Sequence, residues 1–253
     1  MKFILKIALF IIVTILALFF FVYLNLKMNL GISELDFNLF IVPFIYFFYF
    51  YIMFPKLREI FNKQFLKTRE LHFIIAIPIL FALVGLFLTY TYMYIPLFFN
   101  LNSISIGSSQ YISSEELTKM GEVILTGVLG PFNEEVIFRF LLLYFLPYSF
   151  FYYIFEEKCT RRLVFSRDNI LIKAFKERNK GIVICWVILL SSLFSIVHGP
   201  NFLSFPMYFL GGIIFSYLFL RFGFLPAWIA HGSYNILSPY VHFIFIKIIE
   251  ISS

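Results

Sequence analysis

The amino-acid sequence predicts an all-α, polytopic membrane protein with about seven or eight transmembrane helices. Hydrophobic residues make up 61% of the 253 residues and charged residues only 13%, whereas soluble domains are about half apolar and about a quarter charged. The apolar residues form runs near 20 residues long, which is the length that crosses a hydrocarbon core of roughly 30 Å as a helix. The composition therefore excludes an ordinary soluble protein.

Seven apolar spans and a shorter apolar tail follow one another along the chain. The first run is longer than the apolar region of a normal signal peptide, and no small-x-small cleavage site follows it, so we predict a retained helix. The segment 117–130 is apolar but contains Glu122 and several glycines, and we expect it to lie in the interface or to re-enter the membrane. The spans are 3–24, 39–54, 72–99, 131–155, 181–198, 202–220 and 224–239, and the tail is 240–250.

The positive charges predict the orientation of these spans. If the N-terminus is cytoplasmic, 16 of the 20 Lys and Arg residues fall on the cytoplasmic side, most of them in loops 55–71 and 156–180. Such an excess is typical of cytoplasmic loops. The net charge of +6 thus reflects topology, and we do not expect nucleic-acid binding. The two cysteines, Cys159 and Cys185, indicate neither a disulfide framework nor a zinc finger.

A few charged side chains lie inside apolar sequence, where each costs roughly 3 kcal/mol on insertion scales. Glu134, Glu135 and Arg139 open the fourth span. Glu135 and Arg139 are four residues apart with the acid first, which favours an ion pair on a helix. A purely structural pair is one interpretation of these two residues. Glu134 points about 100° away from Glu135 on a helix, which leaves it available for general-base chemistry.

Three further polar residues interrupt the later apolar spans. His198 ends the fifth span, and His231 lies in the seventh with Asn235 one turn later on the same face. Each histidine alone is more typical of a hydrogen-bonded structural residue than of a catalytic one. Polar groups on three separate apolar helices are satisfied cheaply only if they meet. We therefore expect Glu134, His198, His231 and Asn235 to share one cavity.

These residues form three motifs in order, EExxxR, FxxxH and HxxxN. The sequence therefore resembles the CAAX-protease and bacteriocin-processing (CPBP, or Abi) family of intramembrane proteases, also called type II CAAX prenyl endopeptidases. The resemblance covers about residues 131–239. It departs from the family at Phe140, where glycine is usual, and in the basic segment 156–180 between the first two motifs. The motif residues are Glu134, Glu135 and Arg139, then Phe194 and His198, then His231 and Asn235.

The resemblance implies a fold and an activity. It implies a catalytic membrane core over 117–253, preceded by N-terminal transmembrane helices over 1–116, in one continuous membrane domain. It implies an endopeptidase whose substrate is a membrane-bound peptide or protein. An N-in orientation puts the site toward the outer face, which favours a bacterial peptide, pheromone or bacteriocin-type substrate over a prenylated cytosolic tail. We accordingly expect a bacterial cell membrane.

The motif residues allow a chemical account of this activity. Glu134 and His198 would hold and deprotonate a water molecule. His231 and Asn235 would donate hydrogen bonds to the developing oxyanion. The residues expected to support this arrangement are Glu135, Arg139 and Phe194.

Three alternatives remain open at this level. The resemblance implies a metal-free glutamic mechanism without a cofactor, but two glutamates and two histidines are also suited to zinc, although not at H-E-x-x-H spacing. A transporter or proton relay also places Glu, Arg and His in the membrane, although we find no internal repeat. A catalytically silent immunity-type protein on the same fold is disfavoured by the intact motifs.

Overall fold

The computed structural model describes residues 2–105, 117–149 and 180–252, and the chain forms helices and no strands over these ranges. The all-α membrane fold predicted from the sequence is confirmed. Residues 156–179 of the predicted basic loop lie outside the described ranges. The eight helices are α1 (Lys2–Met28), α2 (Glu34–Met53), α3 (Pro55–Phe65), α4 (His72–Phe99), α5 (119–149), α6 (Lys180–Val197), α7 (Phe205–Phe222) and α8 (Phe224–Ser252).

Four of the described helices are long and apolar enough to cross a membrane. These are α1 from Ile7 onward, α2, α4 and α7, and α6 contains a shorter apolar helix from Gly181 to Val197. Helix-length apolar segments of this kind support an integral membrane protein. The exact number of spans stays a prediction.

Three elements differ from the pattern read in the sequence. Helix α3 lies in what the sequence predicts as a loop, because its 11 residues are too few and too polar to register as a span. The predicted tail 240–250 is the continuation of α8, which passes through Pro239 without ending. Membrane helices tolerate such a proline. The segment 117–130 becomes helical at Lys119 and continues into the helix of the first motif.

The described chain forms two compact units. One contains residues 2–65 and 117–133, and the other contains 66–105, 134–149 and 180–252. All the motif residues lie in the second unit. The division at residue 116 that the resemblance implies stays a prediction.

The first unit is held together by an apolar cluster and by side-chain caps. Its centre is formed by buried Ile41, Ile45, Leu125 and Leu129. The Thr118 hydroxyl accepts a hydrogen bond from the Gly121 N–H at the start of α5, as an N-cap does.

In the second unit α8 packs against α4 and α7, and α7 packs against α6. The Thr89 hydroxyl of α4 lies 2.9 Å from the Tyr234 hydroxyl of α8. Gly223 joins α7 to α8 with a φ of 108°, a conformation that residues with a Cβ rarely adopt. The sharp turn lets α8 begin at the next residue and return beside α7.

Lys67 closes the C-terminal end of α7. Its ammonium donates hydrogen bonds to the carbonyls of Phe219 at 3.1 Å and Leu220 at 3.2 Å. Its backbone N–H donates to the Phe222 carbonyl. Cations at a helix C-terminus satisfy carbonyls that have no partner within the helix. Burial lowers the pKa of Lys67 to about 8.

Helices α6 and α7 are in close contact at a pair of small residues, Gly212 and Ser191. A Cβ placed on Gly212 would lie 2.9 Å from both Cα and Cβ of Ser191, a distance that backbone atoms cannot easily relieve. Small residues permit such close helix packing in membranes. The neighbouring Gly211 has more room, since a Cβ there meets nothing nearer than a Phe215 ring carbon at 3.6 Å.

We predict that Gly212→Ala destabilises the protein by about 1–3 kcal/mol, because the added methyl group overpacks the contact with Ser191. The matched control is Gly211→Ala, which adds the same methyl group where there is space. Alanine is about 1 kcal/mol better than glycine inside a helix, so this control should be neutral or stabilising. Thermal denaturation in detergent measures both variants. Equal midpoints for the two would contradict the close contact.

Candidate active site

Side chains from each of the three motifs meet within the second unit. Helix α5 contributes Glu134, Glu135 and Arg139. The last turn of α6 contributes Phe194, and His198 is the first residue after this helix. Helix α8 contributes His231, with half-buried Asn235 one turn later. The α5 stretch Glu135–Phe145 has the wider hydrogen bonding of a π-helix, a geometry that is frequent at functional sites.

Glu134 lies between the two histidines. Its Oε2 atom is 3.5 Å from Nε2 of His198 and 3.7 Å from Nε2 of His231. The Glu134 side chain is 30% exposed and that of His198 26%, whereas His231 is 4% exposed. The exposed part of this cluster therefore belongs to the Glu134 and His198 side chains, whereas His231 and the Oε2 atom of Glu134 are buried.

The other ring nitrogen of each histidine has a fixed partner. Nδ1 of His198 lies 2.7 Å from the Phe194 carbonyl oxygen, and Nδ1 of His231 lies 2.9 Å from Oε1 of Glu135. A carbonyl or carboxylate oxygen only accepts, so both Nδ1 atoms donate a proton. In the neutral tautomers both Nε2 atoms then carry a lone pair and face Glu134. The site thus gathers three atoms, two nitrogens and one oxygen, that can each take up a proton.

Glu135 and Arg139 form the ion pair that their spacing predicts, and Glu135 also contacts His231. Nη1 of Arg139 is 3.3 Å from Oε1 of Glu135, the same oxygen that accepts from His231. Both side chains are almost fully buried, at 0% and 1% exposure. Nη2 of Arg139 donates to the Gly212 carbonyl at 3.4 Å. The two opposite charges therefore neutralise each other, and the same ion pair orients the His231 ring.

Aromatic rings surround the charged groups. The Arg139 guanidinium carbon lies 4.4 Å from the Phe194 ring centre and 5.5 Å from that of Phe215. Phe194 also packs on the His198 ring at 4.4 Å. Phe215 stacks on the His231 ring at 4.4 Å with an interplanar angle of 16°. These contacts fix the planes of both imidazoles and place ring faces beside the arginine cation.

Sequence reasoning missed two residues of this site, Phe215 and Tyr208. Both lie on α7, and Tyr208 stacks on His198 with ring centres 4.9 Å apart. Helix α7 contains no motif, and aromatic residues are 22% of the chain. Since an aromatic side chain is so common here, its identity alone carries no signal for a site.

Two other features bear on the sequence expectations. Phe140, where the family usually has glycine, is fully buried and packs against Phe145, so this departure is accommodated in the core. Among the described residues, no group of three or more His, Cys, Asp or Glu side chains has an arrangement that would hold a metal ion.

A family model described as type II CAAX prenyl endopeptidase Rce1-like matches residues 116–237, just under half of the chain. The matched segment contains all three motifs. The resemblance drawn from the motifs is therefore confirmed, and the match supports a membrane protease of the CAAX endopeptidase type. No curated protein and no solved structure matches the chain at a significant level.

We predict that Arg139→Met destabilises the protein by about 3–5 kcal/mol, because it leaves the Glu135 carboxylate buried without its cation. The double variant Arg139→Met with Glu135→Gln should recover part of this loss, since glutamine is uncharged and keeps an oxygen that accepts from His231. The free energies of unfolding of the wild type, Arg139→Met, Glu135→Gln and the double variant, measured in detergent, form a double-mutant cycle. Strictly additive losses would show that the two side chains are not coupled.

Proposed function

We propose that this chain, whose residues 116–237 match the Rce1-like type II CAAX prenyl endopeptidases, is an intramembrane endopeptidase that cleaves a membrane-associated peptide or protein. The observation that carries this proposal is the position of Glu134, with its Oε2 facing Nε2 of His198 at 3.5 Å and of His231 at 3.7 Å. A carboxylate between two imidazoles, partly accessible inside apolar helices, is suited to proton transfer with water.

In the first step Glu134 and His198 hold a water molecule and Glu134 takes its proton. The hydroxide oxygen attacks the carbonyl carbon of the scissile peptide bond. His198 is suited to orient the water because its Nδ1 is committed to the Phe194 carbonyl, which leaves Nε2 toward Glu134. The proton held by Glu134 then passes to the leaving nitrogen as the C–N bond breaks, so the carboxylate is restored.

In the same step His231 and Asn235 stabilise the oxyanion of the tetrahedral intermediate. Nε2 of His231 donates a hydrogen bond only when the ring carries both protons, because Nδ1 already donates to Glu135. The carboxylates of Glu134 and Glu135, one near each nitrogen, balance the charge of that doubly protonated ring. Donors held in place before the reaction are worth a few kcal/mol each. Asn235 contributes from the next turn of α8.

Glu135, Arg139 and Phe194 act as positioning residues in this scheme. Glu135 holds the His231 ring through Nδ1, as a carboxylate does in other histidine-dependent sites. Arg139 holds Glu135, and Phe194 packs against both histidines. The two adjacent glutamates therefore have different roles because one is partly exposed and the other is buried against a cation.

We further propose that the N-terminus is cytoplasmic and that the protein lies in a bacterial cell membrane. The excess of Lys and Arg in loops 55–71 and 156–180 supports this orientation. It directs the site toward the outer face and favours a peptide, pheromone or bacteriocin-type substrate. Comparing membrane-peptide profiles of cells with the wild type and with Glu134→Gln would reveal the substrate class.

We expect Glu134→Gln to lower the rate of peptide cleavage by about 10²–10⁴-fold, because glutamine does not accept the proton of the water. The matched control is Glu122→Gln, the same change at an exposed glutamate earlier in α5. Cleavage of a membrane peptide by purified protein in detergent measures the rate, and thermal denaturation checks folding. Full activity of folded Glu134→Gln protein would rule out this role.

We also predict that the activity does not depend on a metal ion, because the proposed water is activated by Glu134 and His198. Zinc is the alternative, since it lowers the pKa of bound water. The purified, active protein is assayed after treatment with a chelator and again after addition of zinc. Inhibition by the chelator and recovery with zinc would replace the glutamic mechanism by a metal-dependent one.

A further inference from the structure

Helix α3 lies where the apolar surface of α2 ends. The last turn of α2 and the residue after it expose large apolar side chains, with Ile52 at 53% and Phe54 at 51%. The chain turns at Phe54, whose backbone is extended, and α3 begins at Pro55. A surface of this kind faces lipid chains in a membrane protein, so its end marks the depth at which lipid headgroups begin.

The inner face of α3 is fixed against α2 by aromatic contacts. The Phe61 ring lies 5.0 Å from that of Phe47 and 5.8 Å from that of Tyr51. The Tyr51 hydroxyl donates to Oδ1 of Asn62 at 2.8 Å. Tyrosines with an apolar ring and a hydrogen-bonded hydroxyl are enriched at the membrane–water interface. These contacts fix which side of α3 faces α2, and they are of the kind that a helix at the membrane–water interface makes.

The exposed residues of α3 carry an excess of positive charge. Lys63 is paired with Glu59 at 3.2 Å, so these two charges cancel. Lys56 and Arg58 are exposed, and within the described ranges neither has an ion-pair partner. These two uncompensated cations thus lie two and four residues after Phe54, where the exposed apolar surface ends.

We propose that the exposed surface of α3 is a docking surface for anionic phospholipids, with Lys56 and Arg58, on opposite sides of the helix, each contacting a headgroup phosphate. An arginine guanidinium matches phosphate geometry with two parallel hydrogen bonds, and a lysine binds a phosphate as a point charge. Basic residues on an amphipathic surface helix attract anionic lipids over a short distance. The partner is a lipid, because the cations adjoin a surface that contacts lipid chains.

The test titrates dioleoyl phosphatidylglycerol into the purified full chain in a neutral detergent and follows the thermal midpoint, which rises when a ligand binds the folded state. The variant Lys56→Gln with Arg58→Gln should weaken apparent binding by about fivefold for each cation removed. Both side chains are exposed, so the variant should keep the wild-type midpoint without lipid. High salt should weaken wild-type binding, since it screens exposed charges.

The matched control on the same helix is Glu59→Gln with Lys63→Gln, which removes one charge of each sign and leaves the net charge unchanged. It should bind phosphatidylglycerol like the wild type. Equal binding by the Lys56/Arg58 variant and the wild type would overturn the proposal. An equal rise of the thermal midpoint with dioleoyl phosphatidylcholine would mean that apolar contact alone causes the effect. An equal rise with inorganic phosphate would mean that a free anion is sufficient. Either result would also overturn the proposal.

Discussion

The structure of the site depends on one buried carboxylate. Oε1 of Glu135 accepts from Nδ1 of His231 and lies 3.3 Å from the Arg139 guanidinium. A carboxylate without exposure to water is stable only when a cation and hydrogen-bond donors surround it. Meeting that requirement at Oε1 brings α5 and α8 together, and Arg139 reaches α7 through the Gly212 carbonyl. The demand of a single buried charge thus fixes three helices relative to one another within the second unit.

Aromatic packing provides the rigidity that the polar contacts alone do not. Phe194 touches Arg139, His198 and His231, and Phe215 stacks on His231. Hydrogen bonds define which imidazole nitrogen faces which partner atom, whereas ring contacts define the plane in which the imidazole lies. In a chain that is so rich in aromatic residues, the same side chains that suit the membrane also hold the site in place.

The two adjacent glutamates show how environment separates identical groups. Glu135 is fully buried, whereas Glu134 is 30% exposed and faces two imidazole nitrogens. A carboxylate bound to a guanidinium has little freedom to exchange protons, while one next to imidazoles at a partly open position has that freedom. This difference is the physical basis of the proposal that Glu134 is the general base and that Glu135 is a positioning residue.

The sequence by itself determined the class of protein and the local part of the site. The apolar runs predict membrane helices, and the four-residue spacing predicts the pair of Glu135 with Arg139, because both depend only on the geometry of one helix. Tertiary structure alone decided that Glu135 meets His231, 96 positions later in the chain, and that Phe215 and Tyr208 line the histidines. It also decided that residues 55–65 form the helix α3 and that α8 continues through Pro239. Contacts between distant segments arise from packing, and neither hydropathy nor periodicity tells which side chain faces another helix.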